Sequence, residues 1–186
     1  TNGLESSENS IKLGNERVLR ARLSDATFFV KADLSTSSEV RRKKLETVTF
    51  AEGLGSLLDR VVRIEWLTKY FLECLNYPKE IYRNALRAAY FCKHDLVSQM
   101  VGEFPELQGI IGAKYLLAEG ENRDVALAVL EHYLPKGSSD LLPKSDIGAL
   151  LALADKFELL ISIFAKGERP SGSSDPFALR RAGNGI

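Results

Sequence analysis

The sequence predicts an all-α protein: a helical bundle with at most a trace of β structure. Three observations carry this. Apolar residues recur at spacings of three and four over several long stretches. One stretch, 147–166, is apolar almost all the way round, as a helix through the middle of a core must be. Only one short segment, around residues 45–50, alternates in the way a strand does.

Residues 1–10 are polar and read as a loop. A helix follows from Ser10 to Lys31, with Ile11, Val18, Leu19, Leu23, Ala26 and Val30 on its apolar stripe. Residues 33–40 are rich in Ser and Thr and read as a linker, so the predicted organisation is an N-terminal helix and linker over 1–40 and a helical domain over 41–186. The domain opens on a basic run, Arg41 to Lys44. Leu45 to Phe50 permits a short strand, which Gly53 and Gly55 punctuate.

The helix 56–75 carries Leu57, Val61, Ile64, Leu67, Phe71 and Leu75, with Asp59–Arg63 and Glu65–Lys69 as i,i+4 pairs for its solvent face. Pro78 fits the first turn of a helix 79–102, and a shorter helix covers 107–118. Asn122 caps a helix through Tyr133 that Pro135 stops. Ser145 or Asp146 caps the helix 147–166, which Gly167 and Pro170 end. Asp175 caps a last helix with Pro176 at its first position.

Lysines and arginines number 25, equal to the aspartates and glutamates, so the formal net charge is zero. That balance argues against an autonomous high-affinity nucleic-acid binder and leaves room for a module adding local contacts to a larger surface. The two cysteines, Cys74 and Cys92, fit no zinc or redox spacing and read as reduced thiols. No apolar run is long enough for a membrane span. The start, Thr1-Asn2-Gly3, and the end after Arg180-Arg181 both read as cuts within a longer chain.

His94-Asp95 on one helix and Asp155 on the most apolar helix are the residues that invite chemistry. A carboxylate in such a helix requires a partner. A neutral imidazole and carboxylates ligate divalent metals, and this pattern is the skeleton of the HD phosphohydrolase site. The pattern lacks the additional first-helix histidine of those enzymes, because Leu57 stands there. His132, the only other histidine, sits at a helix end, where a positive charge favours the dipole. The expectation is therefore a polar cluster of His94, Asp95 and Asp155 with no metal and no catalytic residue. Gly102 and Gly109 to Gly112 lack phosphate-loop spacing. Three basic groups are candidates for phosphate contact: Arg17, Arg20 and Arg22; Arg41, Arg42, Lys43 and Lys44; and Arg180 and Arg181.

Several stretches carry a more specific signal. Gly14 to Ala26 (GNERVLRARLSDA), Lys93 to Gly109 (KHDLVSQMVGEFPELQG), Glu131 to Pro135, Ala152 to Lys156, and Gly172 through Asp175 to Ala182 occur in one order along nearly the whole chain. Together they resemble the bacterial-type glycyl-tRNA synthetase beta subunit, in its internal HD-like segment. The resemblance implies an enzyme that joins glycine to its tRNA using ATP and Mg, in the cytoplasm or a bacterially derived organelle. It implies that an alpha subunit carries the class II catalytic site, with the beta chain contributing tRNA binding. The implied partners are tRNA-Gly, the alpha subunit and the remaining domains of the beta subunit, with no membrane and no cofactor held by this segment. The implied function is positioning of the tRNA acceptor stem. The alternatives are a metal-dependent HD phosphohydrolase and a structural scaffold. The arginines of the first motif either face tRNA or pair with Glu16, Asp25 or Asp155.

Overall fold

The structure is a computed structural model describing residues 8–137, 139–171 and 174–186. Residues 1–7 of the expected N-terminal loop and Gly172 of the last motif lie outside the described residues. The described residues form nine α-helices and one two-stranded hairpin.

Helix α3 (Leu57–Cys74) starts on a capping box. The Ser56 hydroxyl accepts from the Asp59 amide, and the Asp59 carboxylate accepts from the Ser56 amide. Asp59 is thus taken by the cap, while Arg63 pairs with Glu158 and Glu65 with Arg42, so the expected i,i+4 pairs give way to tertiary partners. Helices α4 (Lys79–Phe91), α7 (Arg123–Glu131) and α8 (Asp146–Ala165) close around the same core. Its centre is Val61, Ile64, Leu72, Val129, Leu150 and Leu151, with alanines 85, 88, 128 and 154 where helices approach closely. Helix α8 touches α3, α4, α7 and α9 (Leu179–Asn184), which is why nearly its whole circumference is apolar.

Helix α1 runs Glu8–Leu34 and only its last turns pack. Ala26, Phe29 and Val30 meet Met100, Val101, Ile111 and Tyr115 of α5 (Gln99–Glu103) and α6 (Ile110–Ala118). Leu13, Val18, Leu19 and Leu23 are exposed. The expected linker 33–40 is shorter than its composition suggests. Asp33 belongs to α1, and α2 (Ser38–Lys44) begins inside the linker, so the boundary expected at residue 40 falls within a helix. The strands are β1 (Thr49–Ala51) and β2 (Gly55–Ser56), antiparallel.

The continuous helix expected over 79–102 is broken. After Cys92 turns extended, Lys93 adopts φ 67°, a left-handed conformation, and a 3₁₀ turn covers His94–Val97 before α5. The last helix starts at Leu179, later than its sequence cap suggests. Asp175 still serves it, accepting from the Leu179 and Arg180 amides.

Candidate functional site

The break after α4 points Lys93, His94 and Asp95 toward different neighbours. All three are buried. The Asp95 carboxylate turns to the start of α6, where its Oδ2 accepts from the Gly109 amide at 2.6 Å and the Gly112 amide at 3.1 Å. These glycines are fixed by that contact. A Cβ on Gly112 would lie 3.0 Å from the Asp95 carboxyl, and Gly109 has φ +81°. Burial pushes the Asp95 carboxyl above its usual range, against the pull of the two amides.

His94 lies between Arg41 and Gly112. Its Nδ1 accepts from Arg41 Nε at 3.3 Å and its Nε2 faces the Gly112 carbonyl at 3.2 Å. Such a ring is neutral, with the proton on Nε2. Burial first, then the Arg41 charge, pulls its pKa down to about 3.

Asp155 belongs to a separate network. Its Oδ2 accepts from Lys93 Nζ at 3.0 Å and its Oδ1 from Arg60 Nη2 at 2.9 Å. The ammonium and guanidinium hold this carboxyl well below the usual range, although burial opposes them. Lys93 Nζ also stands 3.4 Å from His132 Nε2, while His132 Nδ1 donates to the Val129 carbonyl at 2.6 Å. His132 is fully buried, and burial followed by the Lys93 charge pulls it down to about 3. The expectation of a charged His132 on the helix dipole is therefore corrected. The ring caps α7 in its neutral form and offers Nε2 as an acceptor to Lys93.

His94, Asp95 and Asp155 thus do not form one ligand set. Lys93 and the ring of Tyr133, 4.5 Å from its ammonium, lie between the two networks. The residues present do not fit a divalent metal. An ammonium already bridges Asp155 and His132, and a guanidinium faces His94. Among the described residues, no group of three or more His, Cys, Asp or Glu side chains is placed to hold a metal ion. Sequence reasoning missed Lys93 and Arg60, and it set His132 apart from the network it joins. The signal for the first two was the unpaired Asp155 itself, which demanded buried cations from elsewhere.

The expected basic patch at 41–44 divides. Arg41 and Arg42 are buried. Arg41 donates to the Asp33 and Thr36 carbonyls, Ser38 Oγ and Glu119, and it lies over the Tyr115 ring. Arg42 donates to the Tyr90 carbonyl and pairs with Glu65 at 2.6 Å. Both guanidiniums hold the fold together and are withdrawn from any external phosphate. The reason is helical periodicity, which turns two of four consecutive residues inward. Lys43 and Lys44 are exposed, as are Arg17, Arg20, Arg22 and both Arg180 and Arg181. Arg22 rests on the Phe104 ring at 4.7 Å, and Arg180 donates to the Ser171 carbonyl. None of the seven makes an ion pair among the described residues, so the expected pairing of the first motif with Glu16, Asp25 or Asp155 is not what fixes α1. Asp33 does that, accepting from the Gln99 and Met100 amides and the Tyr115 hydroxyl.

A family model described as the glycyl-tRNA synthetase beta subunit matches residues 1–186. The chain is 50% identical, over its full length, to the glycine–tRNA ligase beta subunits of Acaryochloris marina and Trichodesmium erythraeum. It is 47% identical to that of Halothermothrix orenii over 99% of its length. The chain spans 26–27% of the length of these relatives.

Proposed function

The chain belongs to the glycyl-tRNA synthetase beta-subunit family, and on that premise we propose that it is a tRNA-contacting accessory domain of a glycine–tRNA ligase. In this reading it positions the acceptor stem for ATP- and Mg-dependent glycylation by the alpha subunit and contributes no catalytic group. It works in the cytoplasm, or in an organelle if the chain comes from a plant-type fused enzyme. No helix among the described residues is long and apolar enough to cross a membrane. One observation carries the reading beyond the family. Among the described residues Arg17 and Arg20 make no ion pair and stand exposed on the part of α1 that is unpacked, while Arg41 and Arg42 are internally satisfied. Cations left in water, while Arg41, Arg42, Arg60 and Arg63 are paired inside the bundle, suit a phosphate backbone. Accurate placement of the tRNA end affects rate even when the placing domain does no chemistry.

The test is binding of an acceptor-stem RNA hairpin across a salt series. Affinity falls with salt, and Arg17→Ala and Arg20→Ala each reduce the log–log salt slope by about one. No hairpin binding at low salt, or a slope unchanged in both variants, refutes the reading. A scaffold role is the second reading, favoured by the exposed Leu13, Val18, Leu19, Leu23 and Phe28 of α1, which suit a neighbouring polypeptide surface.

A further inference from the structure

We propose that the cavity between α8, α9 and the end of α7 is a binding site for a phosphomonoester, independent of the RNA contact on α1. The cavity holds about 260 Å³. Arg60, Lys93, Lys136, Lys156 and Arg181 line it against one carboxylate, Asp155. Asp155 is already engaged by Arg60 and Lys93, and Arg60 also reaches Glu158 at 2.7 Å. Lys136 and Arg181 make no ion pair among the described residues. Lys156 is buried to 7% exposure, and its ammonium meets only the Leu134 carbonyl, at 2.6 Å, among the described hydrogen bonds. Burial pulls its pKa down. A buried cation without a carboxylate partner is the group an incoming anion relieves. The Tyr133 hydroxyl is buried without a partner among the described residues, and Tyr133 lines the same cavity.

The ligand class follows from this chemistry. After Asp155 and Glu158 are counted, the cavity retains an excess of about three positive charges; a phosphomonoester carries about −1.5 to −2 at neutral pH with three acceptor oxygens. Arg181 supplies the fork geometry that phosphate oxygens match. Leu159 and Phe177 form an apolar wall for the organic part of an ester. Lys93, held by Asp155 and His132, contributes a fixed positive charge at the inner end, where a metal ion is excluded.

The experiment titrates the chain with inorganic phosphate and with adenosine 5′-monophosphate, followed by calorimetry. It is repeated with acceptor-stem hairpins bearing either a 5′-phosphate or a 5′-hydroxyl. Arg181→Ala and Lys136→Ala alter exposed side chains and leave the bundle folded, with Arg123→Ala, at the exposed start of α7, as the control. The result expected is saturable binding of the mononucleotide, weakened about tenfold or more by each cavity variant and unchanged by the control. A preference for the 5′-phosphorylated hairpin identifies an RNA end as the natural ester, and mononucleotide binding without that preference identifies a small free ligand. Both outcomes uphold the site. Absence of phosphate and mononucleotide binding, or binding unaffected by both cavity variants, overturns it. Hairpin binding that depends only on Arg17 and Arg20 would leave the RNA reading intact, so the two fail separately.

Discussion

Arg41→Ala separates a structural arginine from a phosphate-contacting one within a single basic run. The Arg41 side chain is 2% exposed and joins four parts of the fold. Its guanidinium donates to the Asp33 carbonyl at 2.7 Å near the end of α1 and to the Thr36 carbonyl in the following turn. It reaches Ser38 Oγ at 2.9 Å, Glu119 at 2.8 Å beyond α6, and His94 Nδ1 at 3.3 Å in the 3₁₀ turn. Charge-assisted hydrogen bonds contribute about 1.5–3 kcal/mol each and are not additive. Glu119 is 30% exposed and recovers water when its partner goes, whereas the Asp33 carbonyl and His94 do not. Truncating one member of a buried ion pair costs about 3–5 kcal/mol, and that range is the expected loss here. It is a large share of the roughly 5–15 kcal/mol that stabilises a domain. Arg41→Lys keeps the charge but loses the planar fork, so about half the loss is expected. Lys43→Ala and Lys44→Ala, on the exposed side of α2, change stability by less than about 0.5 kcal/mol. Urea denaturation followed by circular dichroism reads all four. A loss under about 1 kcal/mol in Arg41→Ala, or one no larger than in Lys43→Ala, would refute the argument that this fork joins α1 and α2 to the bundle.

Two further outcomes are expected from the Asp95 and histidine geometry. Gly112→Ala places a Cβ 3.0 Å from the Asp95 carboxyl and 3.3 Å from His94 Nε2, and destabilises by about 1–3 kcal/mol. Gly102→Ala, where nothing lies within 4 Å, is neutral or slightly stabilising in the same denaturation assay, and equal effects would refute the close-approach argument. Stability also falls on mild acidification. His94 and His132 have folded pKa values of about 3, below their ordinary 6.5, so both are neutral in either state above about pH 6.5. As pH falls below that, the unfolded chain takes up protons the folded chain refuses. Stability is lost down to about pH 3, at up to about 2.7 kcal/mol per pH unit for two protons. The depressed Asp155 adds to the loss at the acid end, and the raised Asp95 opposes it. Unfolding free energies near pH 7 and about pH 5 check the sign; equal values would show that the two imidazoles titrate normally.

The sequence by itself determined the all-α class, because a period of three to four in apolar residues is a local property. It also placed a cap at Asn122 and another at Ser145 or Asp146, of which Ser145 caps, since a cap needs only a side-chain oxygen two or three residues before an amide. The motifs that carry the family likeness were visible for the same reason: identity and order in a chain require no folding. The central position of α8 followed from its composition, and so did the demand that Asp155 find a partner. Which partners it found was decided by tertiary structure alone. Lys93 reaches Asp155 because Lys93 takes a left-handed backbone conformation, and nothing in the local pattern of residues 79–102 marks a break there. That break sends His94 to Arg41 and Asp95 to the amides of α6, so three residues that read as one cluster occupy two networks. The basic run 41–44 likewise reads as one surface, yet the helix that contains it turns Arg41 and Arg42 inward to acids 23 and 78 residues away. Burial and pairing at such separations depend on where distant helices pack, and a charge pattern along the chain does not contain that information.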